Sequence, residues 1–170
     1  MICLDSRKLF EYSQALRNRF LEQVGSLAWA EVVESRGASF DSLKDILLHT
    51  IDNEDRLVNY VISGRMKDWR LLTARRVLSP DVFLDMDSIR NRAGEVKSKS
   101  KAYLANMKPE ELERKVEIQR MGMPSVWVRV EDVLVHVALE NIHHYGELIA
   151  LLWQMDVEPS HMGWIGHLQK

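Results

Sequence analysis

The sequence predicts an all-α protein. Residues 1–170 are expected to form a single domain, a four-helix bundle. Four long segments repeat apolar residues at helical spacing, and three of these segments are about 20 residues long. Only 8 glycines and 4 prolines interrupt the chain, which is too few for a loop-dominated protein. We expect no more than one short β-hairpin, so the core must come from helices packed against each other.

The first predicted helix covers residues 4–24, where leucine, phenylalanine and valine recur on one face. Gly25 and Ser26 interrupt this pattern. A shorter apolar stretch at residues 27–33 follows, and Gly37 is expected to interrupt regular secondary structure after it. These features predict one long helix followed by a shorter apolar stretch of unassigned secondary structure.

The second predicted helix begins after Ser39 or Asp41, because either side chain can accept a hydrogen bond from the free amides of a first helical turn. It continues to about Ile62 and ends before Ser63 and Gly64, a pair typical of a helix C-terminus.

The third predicted helix starts at Asp85 or Asp87 and ends before Pro109, and the fourth runs from near Glu131 to Gln154. Between them lie two short β-branched stretches, 116–118 and 126–130, separated by glycine and proline, so they predict a hairpin before the last helix. The connections near 64–85 and 108–130 are long, and we expect irregular structure there. The tail at 155–170 is apolar enough to pack on the bundle.

Charge and cysteine content exclude several classes of protein. With 23 basic and 25 acidic residues the chain has a formal charge of −2, and it has no basic stripe for nucleic acid. The single cysteine, Cys3, excludes an internal disulfide framework and a cysteine-based zinc site. The first residues lack the apolar region of a signal peptide, and no apolar run approaches the ~20 residues that span a bilayer. We therefore expect a cytoplasmic protein that binds neither nucleic acid nor membrane.

The fourth predicted helix carries ionisable side chains along one shoulder, and His144 falls within the apolar stripe itself. Burying such groups costs several kcal/mol unless something pairs with them, and a metal ion is one such partner. Glu140 and His144 are four residues apart and can meet at one ion, although a simple intrahelical pair also satisfies this spacing. The ionisable groups on this shoulder are His136, Glu140, His143, His144 and Glu147.

The second predicted helix supplies a third candidate ligand, His49, which lies on the flank of its polar side. Glu54, in contrast, projects among leucines and valines, so it needs a buried partner such as an arginine or a hydroxyl group.

Three segments resemble the DinB/YfiT-like superfamily of four-helix-bundle metalloproteins: LFEYSQALRNRFLEQV, SLKDILLHTIDNEDRLVNYV and VEDVLVHVALENIHHYGELIALLWQM. The resemblance covers three helices in the family's order. It implies a divalent ion, nickel or zinc, with iron or manganese as further candidates. By resemblance the metal ligands are His49, Glu140 and His144, although the family typically has a histidine where this chain has Glu140.

The resemblance also implies supporting residues and an activity. His143, Glu147 and Glu54 are expected around the ligands, with Glu147 or Glu54 orienting them or acting as a base. The implied activity is that of a metal-dependent hydrolase or thiol S-transferase with a small-molecule substrate, such as a thiol.

Two other function classes stay open. A ferritin-like di-metal protein would use Glu140-x-x-His143, but the second such match, Glu158 to His161, contains Pro159. The other class is a non-catalytic bundle that binds a metal or forms a dimer and has no enzymatic activity. The apolar end of the tail favours a homodimer in either case.

Overall fold

Most of the described chain is helical, which confirms the all-α class. The computed structural model describes residues 5–64, 80–118, 124–160 and 163–169. The long helices are α1 (Ser6–Val24), α3 (Leu43–Glu54), which continues as a π-helix over Asp55–Ile62, α4 (Met86–Ala105) and α6 (Val130–Gln154). The short elements are α2 (Trp29–Val33), a 3₁₀ turn (Pro80–Val82), α5 (Pro109–Glu113), α7 (Trp164–Leu168) and the strands β1 (Lys115–Ile118) and β2 (Val126–Arg129).

Side-chain caps explain where the long helices begin. The Asp5 carboxylate accepts hydrogen bonds from the first-turn amides of α1, and the Asp85 carboxylate accepts the Ser88 amide at 2.8 Å to start α4. The cap of α3 is Ser42, which accepts the Asp45 amide, so the predicted caps Ser39 and Asp41 were wrong. The Ser39 hydroxyl instead donates a hydrogen bond to Glu147 of α6.

The π-helical end of α3 has no counterpart in the prediction. Its wider turns are visible in the bond from the Ser63 amide to the Val58 carbonyl, five residues back. Asn59 lies within this segment, buried, and its side-chain amide donates to Asp55 and to the Val96 carbonyl of α4. Gly64, with φ of +70°, ends the segment as predicted.

The hairpin before the last helix is confirmed. Strands β1 and β2 are antiparallel, with Val116 opposite Val128 and Ile118 opposite Val126. Parts of the long connections, residues 65–79 and 119–123, lie outside the described residues.

The long helices pack so that α6 lies against both α1 and α3, and α4 lies against α3 and α1. Two apolar clusters form the core. One contains Phe20, Ile46 and Leu148, and the other contains Phe10, Val58 and Val133. Buried polar side chains also lie along α1, along α3 with its π-helical end, and along α6; they include Gln14, Arg17, Asn53, Glu54, Asp55 and Asn141.

The C-terminal tail contacts α1 at two places. The ring of Trp164 lies edge-on to Tyr12 with centroids 5.3 Å apart. The Gln23 side chain donates to the Glu158 carbonyl at 2.6 Å and accepts the Ser160 amide at 2.7 Å. Within the described ranges, no helix combines the length and apolar character needed to cross a membrane.

Candidate metal site

Three side chains from two helices converge where α3 packs against α6. His49 comes from α3, while Glu140 and His144 lie one turn apart on α6. One ligand atom from each lies within 4.8 Å of the others. The Nε2 atom of His144 is 3.7 Å from Oε2 of Glu140, inside the ~4.2 Å that two ligands on one ion can span at ~2.1 Å each.

The imidazole rings of His49 and His144 pack edge to face, with ring centroids 4.6 Å apart and planes at 81°. His144 is buried, with 7% of its surface exposed, whereas His49 and Glu140 are half-buried. Two nitrogens and one carboxylate oxygen form a donor set that suits first-row divalent ions, and three protein ligands leave coordination positions open. The residues present therefore fit the metal that the sequence implies.

Glu147 determines which nitrogen of His144 faces the other ligands. Its Oε2 atom lies 2.6 Å from Nδ1 of His144 and accepts the Ser39 hydroxyl at 2.7 Å. Partial burial acts to raise the pKa of Glu147, but the hydrogen bonds from Ser39 and His144 outweigh it and lower the pKa. A carboxylate on Nδ1 places the proton there, so the Nε2 lone pair is left for a metal.

His49 is kept neutral by its surroundings. Burial lowers the pKa of His49 to about 4, and the nearby His144 ring and Arg56 guanidinium act in the same direction. The carboxylates of Glu140 and Glu147 oppose this shift without cancelling it. Because only a neutral imidazole can donate its lone pair, His49 is in the protonation state that metal binding requires at neutral pH.

Comparison with known proteins identifies the family of this chain. The family model of the DinB superfamily matches residues 13–148, which is most of the chain. The chain belongs to the DinB superfamily. The match confirms the sequence resemblance to this superfamily. The matched range includes His49, Glu140, His144 and Glu147, whose roles at a metal stay predictions. No curated protein matches this chain.

His143 lies on the outer side of the site in this DinB superfamily member. It is exposed, and its ring is 5.2 Å from that of His144 with the planes at 85°. A second group of potential ligands, His143, His144 and Glu147, shares His144 with the first. We favour the first group because it joins two helices, whereas the second lies on one. The supporting role of His143 stays a prediction.

Glu54 has the buried arginine partner that the sequence required. Its Oε2 atom is 2.7 Å from Nη1 of Arg17, and its Oε1 atom accepts the Gln14 side-chain amide at 2.7 Å. These contacts turn Glu54 towards α1. Its predicted role near the ligands stays a prediction.

Sequence reasoning missed the part that Ser39 and Phe40 play in the site. Phe40 stacks on His49 with ring centroids 4.4 Å apart and planes at 29°, and it meets His144 edge-on at 5.2 Å. Both residues belong to the connection before α3, where no periodicity indicates which side chains turn inward. Only the folded arrangement of the two helices reveals them.

Proposed function

We propose that this DinB superfamily member is a metal-dependent enzyme, either a hydrolase or a thiol S-transferase, built on a four-helix bundle. His49, Glu140 and His144 hold one divalent ion, for which nickel and zinc are the first candidates and iron and manganese the next. A bound ion of this kind lowers the pKa of a water or thiol and so supplies a nucleophile near neutral pH. The observation that carries the proposal is the convergence of the three ligand atoms within 4.8 Å.

The chain's own residues divide the remaining work. Glu147 holds the proton at Nδ1 of His144 and so keeps Nε2 directed towards the ion. Of the two carboxylates predicted to orient ligands or act as a base, Glu147 is the better placed. Glu54 is occupied by Arg17 and Gln14, away from the candidate ligands.

The substrate that we propose is a small molecule, such as a thiol. Arg56 lies close enough to His49 for its positive charge to lower the pKa of that imidazole. Glu140 and Glu147 place negative charge near the same imidazole, so the charge of the residues around His49 is mixed and does not select the charge of the substrate.

We also propose that the protein is a cytoplasmic homodimer. The apolar residues Ile165 and Leu168 of α7 are 75% and 52% exposed, an arrangement that a second copy would cover. Sedimentation equilibrium tests this: a dimer that dissociates in an Ile165→Glu variant supports the proposal, and a wild-type monomer contradicts it.

Elemental analysis of untagged protein tests the metal site. We expect about one transition metal per chain, lost in His49→Ala and His144→Ala with the helical circular dichroism signal unchanged. His167→Ala is the matched control, because His167 lies on α7 against Tyr12. Full metal retention in His144→Ala contradicts the proposal. So does the absence of binding after nickel, zinc and manganese are supplied, a result that would favour a non-catalytic bundle.

The number of metal ions per chain also distinguishes the ferritin-like di-metal alternative from the proposed single-metal site. That alternative pairs Glu140 with His143, whereas the candidate group in the described residues joins Glu140 to His144 and His49. Its second histidine, His161, lies outside the described residues. Two metals per chain with an iron-oxo absorption band would support a ferritin-like protein, and one metal per chain would not.

A further inference from the structure

Two consecutive side chains of the α2–α3 loop (residues 34–42) contact the candidate metal site. The Ser39 hydroxyl donates to Oε2 of Glu147 at 2.7 Å. The Phe40 ring stacks on His49 at 4.4 Å and meets His144 edge-on at 5.2 Å. One loop therefore touches the surroundings of histidines from two different helices.

Hydrogen bonds and an ion pair hold the α2–α3 loop in place, both within the loop and against α2. The Arg36 amide donates to the Asp41 carbonyl at 2.7 Å, which closes the loop around Gly37. Gly37 has φ of +65°, a conformation that glycine adopts at little cost. The Arg36 guanidinium donates to the Glu31 carbonyl at 3.1 Å and pairs with Glu34 at 2.7 Å.

Ser39 acts on His144 through Glu147. A single oxygen, Oε2 of Glu147, accepts the Ser39 hydroxyl and lies within hydrogen-bond distance of Nδ1 of His144. A glutamate in its usual ionised form can only accept hydrogen bonds, so the proton of the contact with His144 lies on Nδ1. Without Ser39, the Glu147 side chain loses one of two hydrogen bonds at this oxygen and is less firmly held against Nδ1. Its partial exposure would then let water compete for the carboxylate.

Phe40 acts on His49 by direct stacking. His49 is half-buried on the flank of α3, where a side chain has more rotational freedom than in the core. A nearly parallel aromatic ring on one face restricts rotation of the imidazole plane. The same ring meets His144 edge-on, so Phe40 contacts both imidazoles.

We propose that Ser39 and Phe40 are positioning residues of the metal site. Ser39 keeps Glu147 on Nδ1 of His144 so that Nε2 faces the ion, and Phe40 holds the imidazole plane of His49. The part that concerns the ion rests on the proposed function. The part that concerns the His144 tautomer does not require metal.

Nitrogen NMR on the ¹⁵N-labelled, metal-free full chain tests Ser39 directly. At about pH 8, where an ordinary histidine is neutral, long-range ¹H–¹⁵N spectra distinguish the two tautomers. We expect His144 to be protonated at Nδ1 in the wild type and in Ser39→Thr, which keeps the hydroxyl. In Ser39→Ala we expect a mixture of tautomers. Ser26→Ala is the control, because its hydroxyl donates to the Gln23 carbonyl instead.

Zinc affinity, measured by competition with an indicator dye, tests both residues. We expect about tenfold weaker binding in Ser39→Ala and in Phe40→Leu, with near wild-type binding in Ser39→Thr and Phe40→Tyr. Thermal unfolding of each variant checks that it is folded. Rescue by the conservative variants separates positioning from general damage to the fold.

The two readouts separate the failure of this inference from the failure of the proposed function. An unchanged His144 tautomer together with zinc affinity within about twofold of the wild type in Ser39→Ala overturns the role of Ser39. Unchanged affinity in Phe40→Leu overturns that of Phe40. If the wild-type chain binds no metal and the tautomer still follows Ser39, the proposed function fails and the Ser39 contact stands.

Discussion

Arg17 of α1 and Glu54 of α3 form an ion pair inside the protein, with Nη1 of the arginine 2.7 Å from Oε2 of the glutamate and neither side chain exposed. Burial alone would lower the pKa of Arg17, but the Glu54 carboxylate reverses this and raises it. Glu54 follows His49 on the same helix by five residues. The pair therefore fixes α1 against the helix that carries one candidate ligand.

Breaking this pair from one side should destabilise the protein strongly. In Arg17→Met the Glu54 carboxylate stays buried without its cation, and we expect a loss of about 3–5 kcal/mol in the free energy of unfolding. The double variant Arg17→Met/Glu54→Leu should recover much of this loss, because no isolated charge is left. Urea unfolding of both single variants and the double variant measures the coupling. A double variant as unstable as the sum of the two single losses would mean that the ion pair does not couple the helices.

A partly buried carboxylate, that of Asp52, should give a stability difference that depends on pH. Burial raises the pKa of Asp52, an effect that Asp55 reinforces and that Arg56 and Arg92 only partly oppose. One of its carboxylate oxygens, Oδ1, is buried and has no hydrogen-bond partner among the described residues. Holding the ionised form in this environment therefore costs stability.

The expected sign follows from linkage. Because the folded pKa lies above the unfolded value of about 3.9, the folded state binds the proton more tightly, and stability is lost as the pH rises through the folded pKa. Asp52→Asn does not titrate, so it should match the wild type near pH 4 and exceed its melting temperature near pH 7. For a chain of this size, each kcal/mol regained corresponds to about 2–4 °C. A melting temperature of Asp52→Asn at or below that of the wild type near pH 7 would show that the two arginines already compensate the charge.

Removing the charge of Glu147 should weaken metal binding without removing a ligand. In Glu147→Gln the amide can turn its NH₂ group to Nδ1 of His144, which favours the wrong tautomer. We expect a loss of about 10–100-fold in zinc affinity, the range typical of residues that support metal-bound histidines. Isothermal titration calorimetry measures this loss, with Glu22→Gln on α1 as the matched control. If Glu147→Gln and Glu22→Gln bind zinc with equal affinity, metal binding by His144 does not require a carboxylate at its Nδ1 atom.

Periodicity was sufficient to predict the long helices, because each buries one continuous apolar face. Leu16, Phe20 and Val133 lie in the core as that spacing requires. The need of Glu54 for a buried partner was also readable, since a carboxylate among leucines cannot stay unpaired. The identity of that partner was not, because Arg17 lies on another helix and no local spacing connects the two.

The details of the candidate site depended on contacts between elements. His49 lies on the flank of α3, so only the family resemblance singled it out. Ser39 looked like a helix cap because serine favours that position, but Ser42 occupies the cap and leaves the Ser39 hydroxyl for Glu147. The π-helical turns after Glu54 had no sequence signal, since Asp55–Ile62 reads as an ordinary continuation of the helix.

The carboxylate at position 140 should determine which metal this protein prefers. The family resemblance leads us to expect a histidine there, and an oxygen ligand shifts preference towards harder ions such as manganese. Oε2 of Glu140 is 3.7 Å from Nε2 of His144, so both atoms would be available to one bound ion. Glu140→His should therefore raise the ratio of zinc to manganese affinity by about tenfold or more.

Competition titrations with the two metals on wild type, Glu140→His and Glu140→Gln measure this ratio. Glu140→Gln keeps the size of the side chain and removes the charge, so it should weaken both metals without reversing their order. If the ratio stays the same in Glu140→His while one metal still binds per chain, Glu140 is not a ligand. The ion would then be held by the two histidines and a group other than Glu140, and the second cluster of His143, His144 and Glu147 would be the first place to seek it.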